Sequence, residues 1–441
     1  MTGSLLLAML LLGASYGQGA DRAVGDRHRA AEYATPRAIG EEEAADGQLM
    51  LFLRGATGSL RVPGRASCDT YQIYFHVPIS LREQAPVLLD VTCPEMIDYR
   101  FVRQDPPNLL VSARLKNADS TVLNWESWML VSRNAYLDFP TYVPIPAPGE
   151  LPDSVRQWLD ATDCCQVSAA IVRSKADSIR DTTTNLIKVA SDICHFCAGH
   201  IPGVVPHEPY AFDAVYSLKF GSSCTGHAHA AVALLRACGI PARPLLNILV
   251  GAKQDMHWIV DYYVPGYGWV RMESTLGVNP VTPQEELVVQ ACNPSDEFPV
   301  WFPCAIDAGW HSSDTAYGMW IPDWGLAHNG AAWLTMIDSS DRVHHAVALT
   351  DSVYRFYTSY WGIALPRAES SALTAALSHQ SLALACIQDS ELTGYMHEMR
   401  EALADYEAIK IAPVETLYSE SFEGGSAGWT HGGSQDEWEM G

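Results

Sequence analysis

The chain has 441 residues, 48% hydrophobic and 18% charged, a globular mixture that sets aside wholly disordered and fibrous classes and suits roughly two to four domains. Its 28 Lys and Arg face 51 Asp and Glu, for a formal charge of −23. Such a surface repels phosphate backbones and anionic lipid heads, which disfavours nucleic-acid partners and electrostatic membrane docking.

In chain order, Leu5 to Leu12 form a short apolar run followed by the small residues Gly17 and Gly19. A helix of that run spans only about 12 Å, too short for a bilayer. Residues 1–19 therefore read as a secretory signal peptide, although no Lys or Arg precedes the run. With no other run of about 18 apolar residues, no membrane insertion is expected after signal cleavage. The destination is the secreted, periplasmic or cell-surface space. Residues 20–47 are small, charged and aperiodic, a linker. Over 48–135, short alternating runs such as Leu49–Leu53, Tyr71–Val77, Val87–Val91, Leu109–Leu115 and Trp125–Val131 predict an antiparallel, immunoglobulin-like β-sandwich. The proline-rich strip Pro140–Pro148 is an extended connector between this sandwich and the next domain.

Helical periodicity then takes over. Leu186, Val189, Ala190, Ile193, Cys194 and Cys197 share one helix face, and a second helix runs from Cys224 to Ala237, stopped by Gly239-Ile-Pro241. Strands are expected at Leu245–Val250, Trp258–Val264 and Trp269–Met272, and helices at Asp351–Trp361, Ser370–Ile387 and Glu391–Ile409. The segments divide into 150–350, a mixed α+β domain, 351–412, a helical segment, and a tail at 413–441. The tail resembles the opening of a jelly-roll-like module, too short to close a sandwich, so missing C-terminal modules and cell-surface association through them are expected.

The 11 cysteines are an odd number. Outside the cytosol most thiols pair, so disulfides are expected with at least one cysteine left reduced. Cys194-His-Phe-Cys197-Ala-Gly-His200 offers three zinc ligands where four are needed, and its cysteines lie on the apolar face, so it reads as a disulfide or core element. His227 and His229, two apart on a helix, do not face one another and make no joint metal site. His227 lies nearly one turn from Cys224, placed to modulate that thiol. Trp301, Trp310, Trp320, Trp324 and Trp333 crowd a loop-rich stretch; they read first as pins holding loops to the core, then as a cleft wall or carbohydrate platform. With no glycine-rich phosphate cradle and no calcium loop, no cofactor and no metal are expected.

The chemistry concentrates around Cys224. It follows Gly221-Ser-Ser223 and opens a helix whose free N–H groups and partial positive charge favour thiolate over thiol. The same amides could hold an oxyanion. An attacking thiol needs a base, and the base an orienting partner. His257 begins one strand and Glu273 ends the next, with Pro265-Gly-Tyr-Gly268 between them. Strand alternation brings them to one face only if Tyr263 pairs with Trp269; a one-residue slip separates them.

The run Cys224-x₉-Leu-Leu-Arg-Ala-Cys-Gly-Ile-Pro-Ala-Arg243, then His257-Trp258, then Pro265-Gly-Tyr-Gly-Trp-Val270 and an acid, resembles the core of the transglutaminase-like superfamily, strongly over about 209–280. That resemblance implies a papain-like core with Cys224 as nucleophile, His257 as base and acid, and Glu273 as orienter. The family usually carries Asp where this chain has Glu273, and Asp255 and Asp261 are nearby substitutes. The expected activity is acyl transfer or hydrolysis at carboxamide or peptide bonds of a protein or peptide substrate, through a Cys224 thioester. A cysteine peptidase and a non-catalytic surface or adhesion scaffold stay open.

Overall fold

A computed structural model describes residues 47–63, 69–103, 107–133, 139–203, 212–249, 256–281, 286–292, 304–307, 334–362, 365–410, 429–432 and 437–440. The signal-peptide and linker segments, Asp255 and the five tryptophans from Trp301 to Trp333 lie outside the described residues.

Six strands come first: β1 (Gln48–Pro63), β2 (Thr70–His76), β3 (Gln84–Thr92), β4 (Met96–Arg103), β5 (Leu109–Lys116) and β6 (Ser120–Arg133). Strand alternation decides which side chains they bury: along the end of β5, Ala113 and Leu115 are buried while Arg114 and Lys116 are exposed. They pair antiparallel as β1-β6-β3 and β2-β5-β4.

Helices come next: α1 (Asp153–Arg156), α2 (Ala170–Arg180), α3 (Leu186–His200), α4 (Ala214–Phe220) and α5 (Cys224–Ala237). Asn185 starts α3 by accepting the N–H of Ile187, and the six apolar positions picked out by periodicity are all buried. The helix α5 has the bounds the sequence predicts, closed by Gly239 at φ +85°. It is buried from Thr225 to Arg236, not along one stripe only. Gly226, Ala228, Ala230, Ala231 and Ala233 make it thin enough for α2, α3, α4 and a sheet to close around it.

That sheet is β10-β7-β8-β9, from β7 (Ala242–Leu249), β8 (Met256–Val264), β9 (Gly268–Met272) and β10 (Glu286–Ala291). Tyr263 pairs with Trp269, the register that joins His257 and Glu273. Two buried amides from the N-terminal sheets bind β10. Gln84 donates to Val288 O (2.9 Å) and accepts from Val288 N (3.1 Å). Asn108 does the same at Ala291 (2.8 Å each way). Together they substitute for a neighbouring strand on an edge that would otherwise be open.

The strand β11 (Cys304–Asp307) pairs with β2, and β12 (Leu334–Ser339) pairs with β1. Where a sandwich is expected within 48–135, the strands form two sheets, β12-β1-β6-β3 and β11-β2-β5-β4, and each draws one strand from much later in the chain. Local periodicity carries no information about partners so far apart. Of three helices, α6 (Ser340–Tyr360), α7 (Arg367–Gln388) and α8 (Leu392–Glu407), the first two pack beside β3 and α8 packs on them. Tyr357 donates to Leu89 O and Gln380 to Val87 O, at a bulge of β3. The tail contributes a hairpin of β13 (Trp429–Gly432) and β14 (Glu437–Met440). Among the described residues no helix is long and apolar enough to cross a membrane.

The disulfide expectation is corrected for Cys93, Cys238 and Cys386, which are thiols; Cys224 is a thiol as a nucleophile requires, and for Cys194 and Cys197 the core alternative holds and the disulfide does not. Cys194 and Cys197 are fully buried, and burial pushes the Cys194 thiol up to about 12, so both pack as protonated, weakly polar side chains of the core.

Candidate active site

Cys224 is the first residue of α5 and is partly exposed, whereas the next twelve residues are buried. The loop before it is anchored to the end of α3: Ser222 N donates to Pro202 O (3.0 Å), and Ser222 bridges Gly203. Gly226 makes that approach possible. A Cβ there would stand 2.1 Å from the Ser222 hydroxyl oxygen and 2.2 Å from that of Ser217. Ser223 occupies the N-cap without a side-chain cap bond, so its hydroxyl does not compete for the helix's first amides.

His257 enters near the start of β8. Its Nε2–H donates to Glu273 Oε2, and its remaining nitrogen, Nδ1, is left for the Cys224 thiol, with which the ring is hydrogen-bonded. The three side chains therefore converge. Glu273 lies one residue past β9, in a turn closed by Glu273 N to Val278 O (2.9 Å) and Gly277 N to Glu273 O (2.9 Å). Its second oxygen accepts the N–H groups of Thr275 (2.7 Å) and Leu276 (3.4 Å). The Cys194 thiol donates to its backbone carbonyl (3.4 Å). His257 is 9% and Glu273 2% exposed, and Cys224 is the more exposed end of this chain.

Burial opposes charge on the sulfur, but the hydrogen bond and charge of His257, aided by the Trp258 N–H, outweigh it and hold the thiol below its ordinary value. Burial likewise opposes the imidazolium, yet the bonds to Cys224 and Glu273 raise His257 well above 6.5. Both shifts favour a thiolate–imidazolium pair.

Other candidates sort themselves by contact. Asp261 pairs with Arg243 (3.2 Å) and Arg271 (3.9 Å), away from His257. His200 bonds Phe196 O and stacks on that ring, so it does not join Cys194 and Cys197. His227 bonds Ser223 O and Ile201 O, and His229 bonds Phe212 O. Three contributors are not foreseen from sequence: the Thr275 and Leu276 amides and the Trp258 N–H. The visible signal for the first two was Gly277, a turn residue at φ +76° just after the acid.

Residues 173–274 match the family model described as the transglutaminase-like superfamily. No curated protein matches the chain. Among solved structures, a cysteine protease candidate from Cytophaga hutchinsonii aligns at 13% identity over 67% of this chain and 92% of its own, with a TM-score of 0.46. The periplasmic domain of TgpA from Pseudomonas aeruginosa aligns at 14% identity over 54% of this chain and 91% of its own, with a TM-score of 0.27. Its ethylmercury-bound form gives 14%, 54%, 93% and 0.28. The segment so matched, residues 173–274, is the one that holds Cys224, His257 and Glu273 together, and it is similar to the transglutaminase-like superfamily.

Proposed function

We propose that the chain is an exported thiol enzyme that transfers or hydrolyses acyl groups at carboxamide or peptide bonds of proteins. The observation that carries this reading is the convergence of His257 with both Glu273 and a partly exposed Cys224 at a helix N-terminus. In the first half-reaction the Cys224 sulfur bonds to the carboxamide carbon, and the carbonyl electron pair moves onto oxygen. The first amides of α5 face that oxyanion. The tetrahedral adduct then breaks its C–N bond. His257 delivers its proton to the departing amine, and a thioester is left on Cys224. In the second half-reaction His257 takes a proton from an incoming amine or water, which attacks the thioester carbon and releases the thiolate. Glu273 keeps the ring oriented throughout and stabilises its cation whenever the ring holds the proton. Export rests on the leader-like residues 1–19.

The test begins with iodoacetamide on the folded protein, followed by peptide mapping: selective modification of Cys224 is expected, and an unmodified Cys224 sinks the nucleophile assignment. Incubating protein substrates with a small primary amine then reads the outcome. Incorporated amine indicates transfer, glutamate in place of glutamine indicates hydrolysis, and new N-termini indicate peptidase activity. All three should vanish in Cys224→Ala with the fold intact.

A further inference from the structure

Phe220 is 63%, Leu276 51% and Val278 44% exposed. They are three of the six large apolar side chains that stand out in solvent among the described residues, and all three flank the triad. Phe220 lies four residues before Cys224, and Leu276 and Val278 lie three and five residues after Glu273. One exposed leucine asks for no explanation, but several around one reactive centre do.

Both groups stand on the carboxyl end of α3. The turn of Leu276 and Val278 rests there at Gly277: a Cβ on that glycine would be 3.1 Å from the Ala198 Cβ and 3.6 Å from the His195 ring. The loop from Phe220 to Cys224 is tied down by Ser222 N donating to Pro202 O (3.0 Å). Ala198 and Pro202 are four residues apart, on the order of 6–8 Å, the length of about two residues of extended chain. Between them Gly199 is exposed, and a Cβ there would meet nothing within 4 Å among the described residues. The floor is therefore low and the two sides are apolar. Phe220 is also backed by the Tyr216 ring, 5.0 Å away between centroids, so it is held in place before anything binds.

Charge is missing from the same surface. The chain is 18% charged with a formal charge of −23, yet none of residues 195–203, 220–225 or 274–281 is Asp, Glu, Lys or Arg. A substrate segment lying there finds no side-chain ion pair with an acid, a lysine or an arginine, and its affinity comes from covering apolar area. We propose that Phe220 on one side, and Leu276 with Val278 on the other, bind the acyl-donor segment and select carboxamides that have apolar side chains within two residues. This rests on the reading of Cys224 as nucleophile and adds to it the kind of sequence the enzyme accepts. The occupant is the substrate because the surface is continuous with the site: Ser222, which fixes one side, is two residues from Cys224, and Glu273 begins the turn that forms the other.

The experiment uses two peptides on the full chain. One has leucine at the two positions on either side of a residue bearing a chloroacetamide, from which the Cys224 sulfur displaces chloride; its twin has serine at those four positions. Peptide mapping locates the label, and each rate is divided by the rate with iodoacetamide, so that changes in the thiol itself cancel. In wild type the leucine peptide should react about tenfold faster than the serine one. Phe220→Ser and Leu276→Ser should each reduce that ratio, and the double variant should bring it near one. Leu382→Ser, which removes an exposed leucine on α7, should leave it unchanged. Twins that react alike in wild type, a ratio that survives the double variant, or an equal loss in Leu382→Ser overturns the proposal. A Cys224 that iodoacetamide does not modify sinks the thiol-enzyme reading and this proposal with it, whereas a Cys224 that iodoacetamide modifies while the twins react alike sinks the proposal alone.

Discussion

The β8–β9 hairpin carries two chains of buried charge. One runs Cys224, His257, Glu273. The other runs Arg243, Asp261, Arg271, Glu83, with Asp261 opposite Arg243 on β7 and opposite Arg271 on β9. The second chain is closed. It has two cations and two anions, each under 5% exposed, and Arg243 also lies over the Trp269 ring, 4.1 Å from its centroid. Glu83 comes from the loop between β2 and β3, so the N-terminal sheets supply a charge to the core sheet. The first chain is open, ending at the partly exposed residue Cys224. The same register thus serves two ends: a neutral, sealed chain fixes the hairpin, and a chain with an exposed end can react.

The largest expected effect breaks the open chain. In Glu273→Gln the side chain can still accept from Thr275 N–H, but it no longer stabilises an imidazolium; kcat should fall about 10³–10⁴-fold. The pH profile sharpens the point. In wild type the acid limb follows Cys224, whose thiolate is lost as pH falls through its lowered value, and the alkaline limb follows His257, whose cation is lost as pH rises through its raised value. Removing Glu273's charge should move the alkaline limb to lower pH in kcat/KM measurements. A retained rate and an unmoved limb would mean the carboxylate is only a packing group.

Breaking the closed chain should do the opposite. Asp261→Asn leaves Arg243 buried without its carboxylate, and stability should drop by about 3 kcal/mol in urea unfolding. Activity per folded molecule should change by no more than a few fold. A large loss of activity with little loss of stability would show that the two chains are not separable in this way.

How much of this was legible depends on the range of the interactions. The bounds of α5 and the Tyr263–Trp269 register could be read because a Gly-Ser-Ser turn, a Gly-Ile-Pro stop and the Pro265–Gly268 turn all act within a few residues. The all-round burial of α5 was not legible, because small residues look neutral until neighbours close on them. The start of α6 at Ser340 was also hidden: Asp341, Arg342, His344 and His345 dilute the apolar spacing there. Periodicity put Cys194 and Cys197 on the apolar face of α3, but a cysteine count could not choose between a disulfide and core thiols, because it says nothing of how two thiols pack. The pairing of β11 and β12 with the first strands depends on contacts that no local pattern encodes.

A smaller effect is expected from the turn that sets the height of the nucleophile. In Gly226→Ala the new methyl group meets the Ser222 and Ser217 hydroxyls, so the loop before Cys224 must shift. Overpacking of this kind costs about 1–3 kcal/mol, and the alkylation rate of Cys224 should fall while the Arg243–Asp261 pair is untouched. Unchanged alkylation would show that the loop can move without carrying the thiol away from His257.

The smallest expected effect concerns Cys194, whose thiol donates to the Glu273 carbonyl from behind the open chain. That carbonyl already accepts the Gly277 and Val278 amides at 2.9 and 3.1 Å, and the carboxylate is held separately by Thr275 and Leu276. A weak S–H donor therefore adds little to positions that backbone amides already fix. Cys194→Ala should cost about 1 kcal/mol of stability, from one buried sulfur lost to a small cavity. The kcat should stay within about twofold, with the pH limbs unmoved. A fall as large as that of Glu273→Gln would extend the open chain by one member and make α3 part of the machinery that aims the carboxylate.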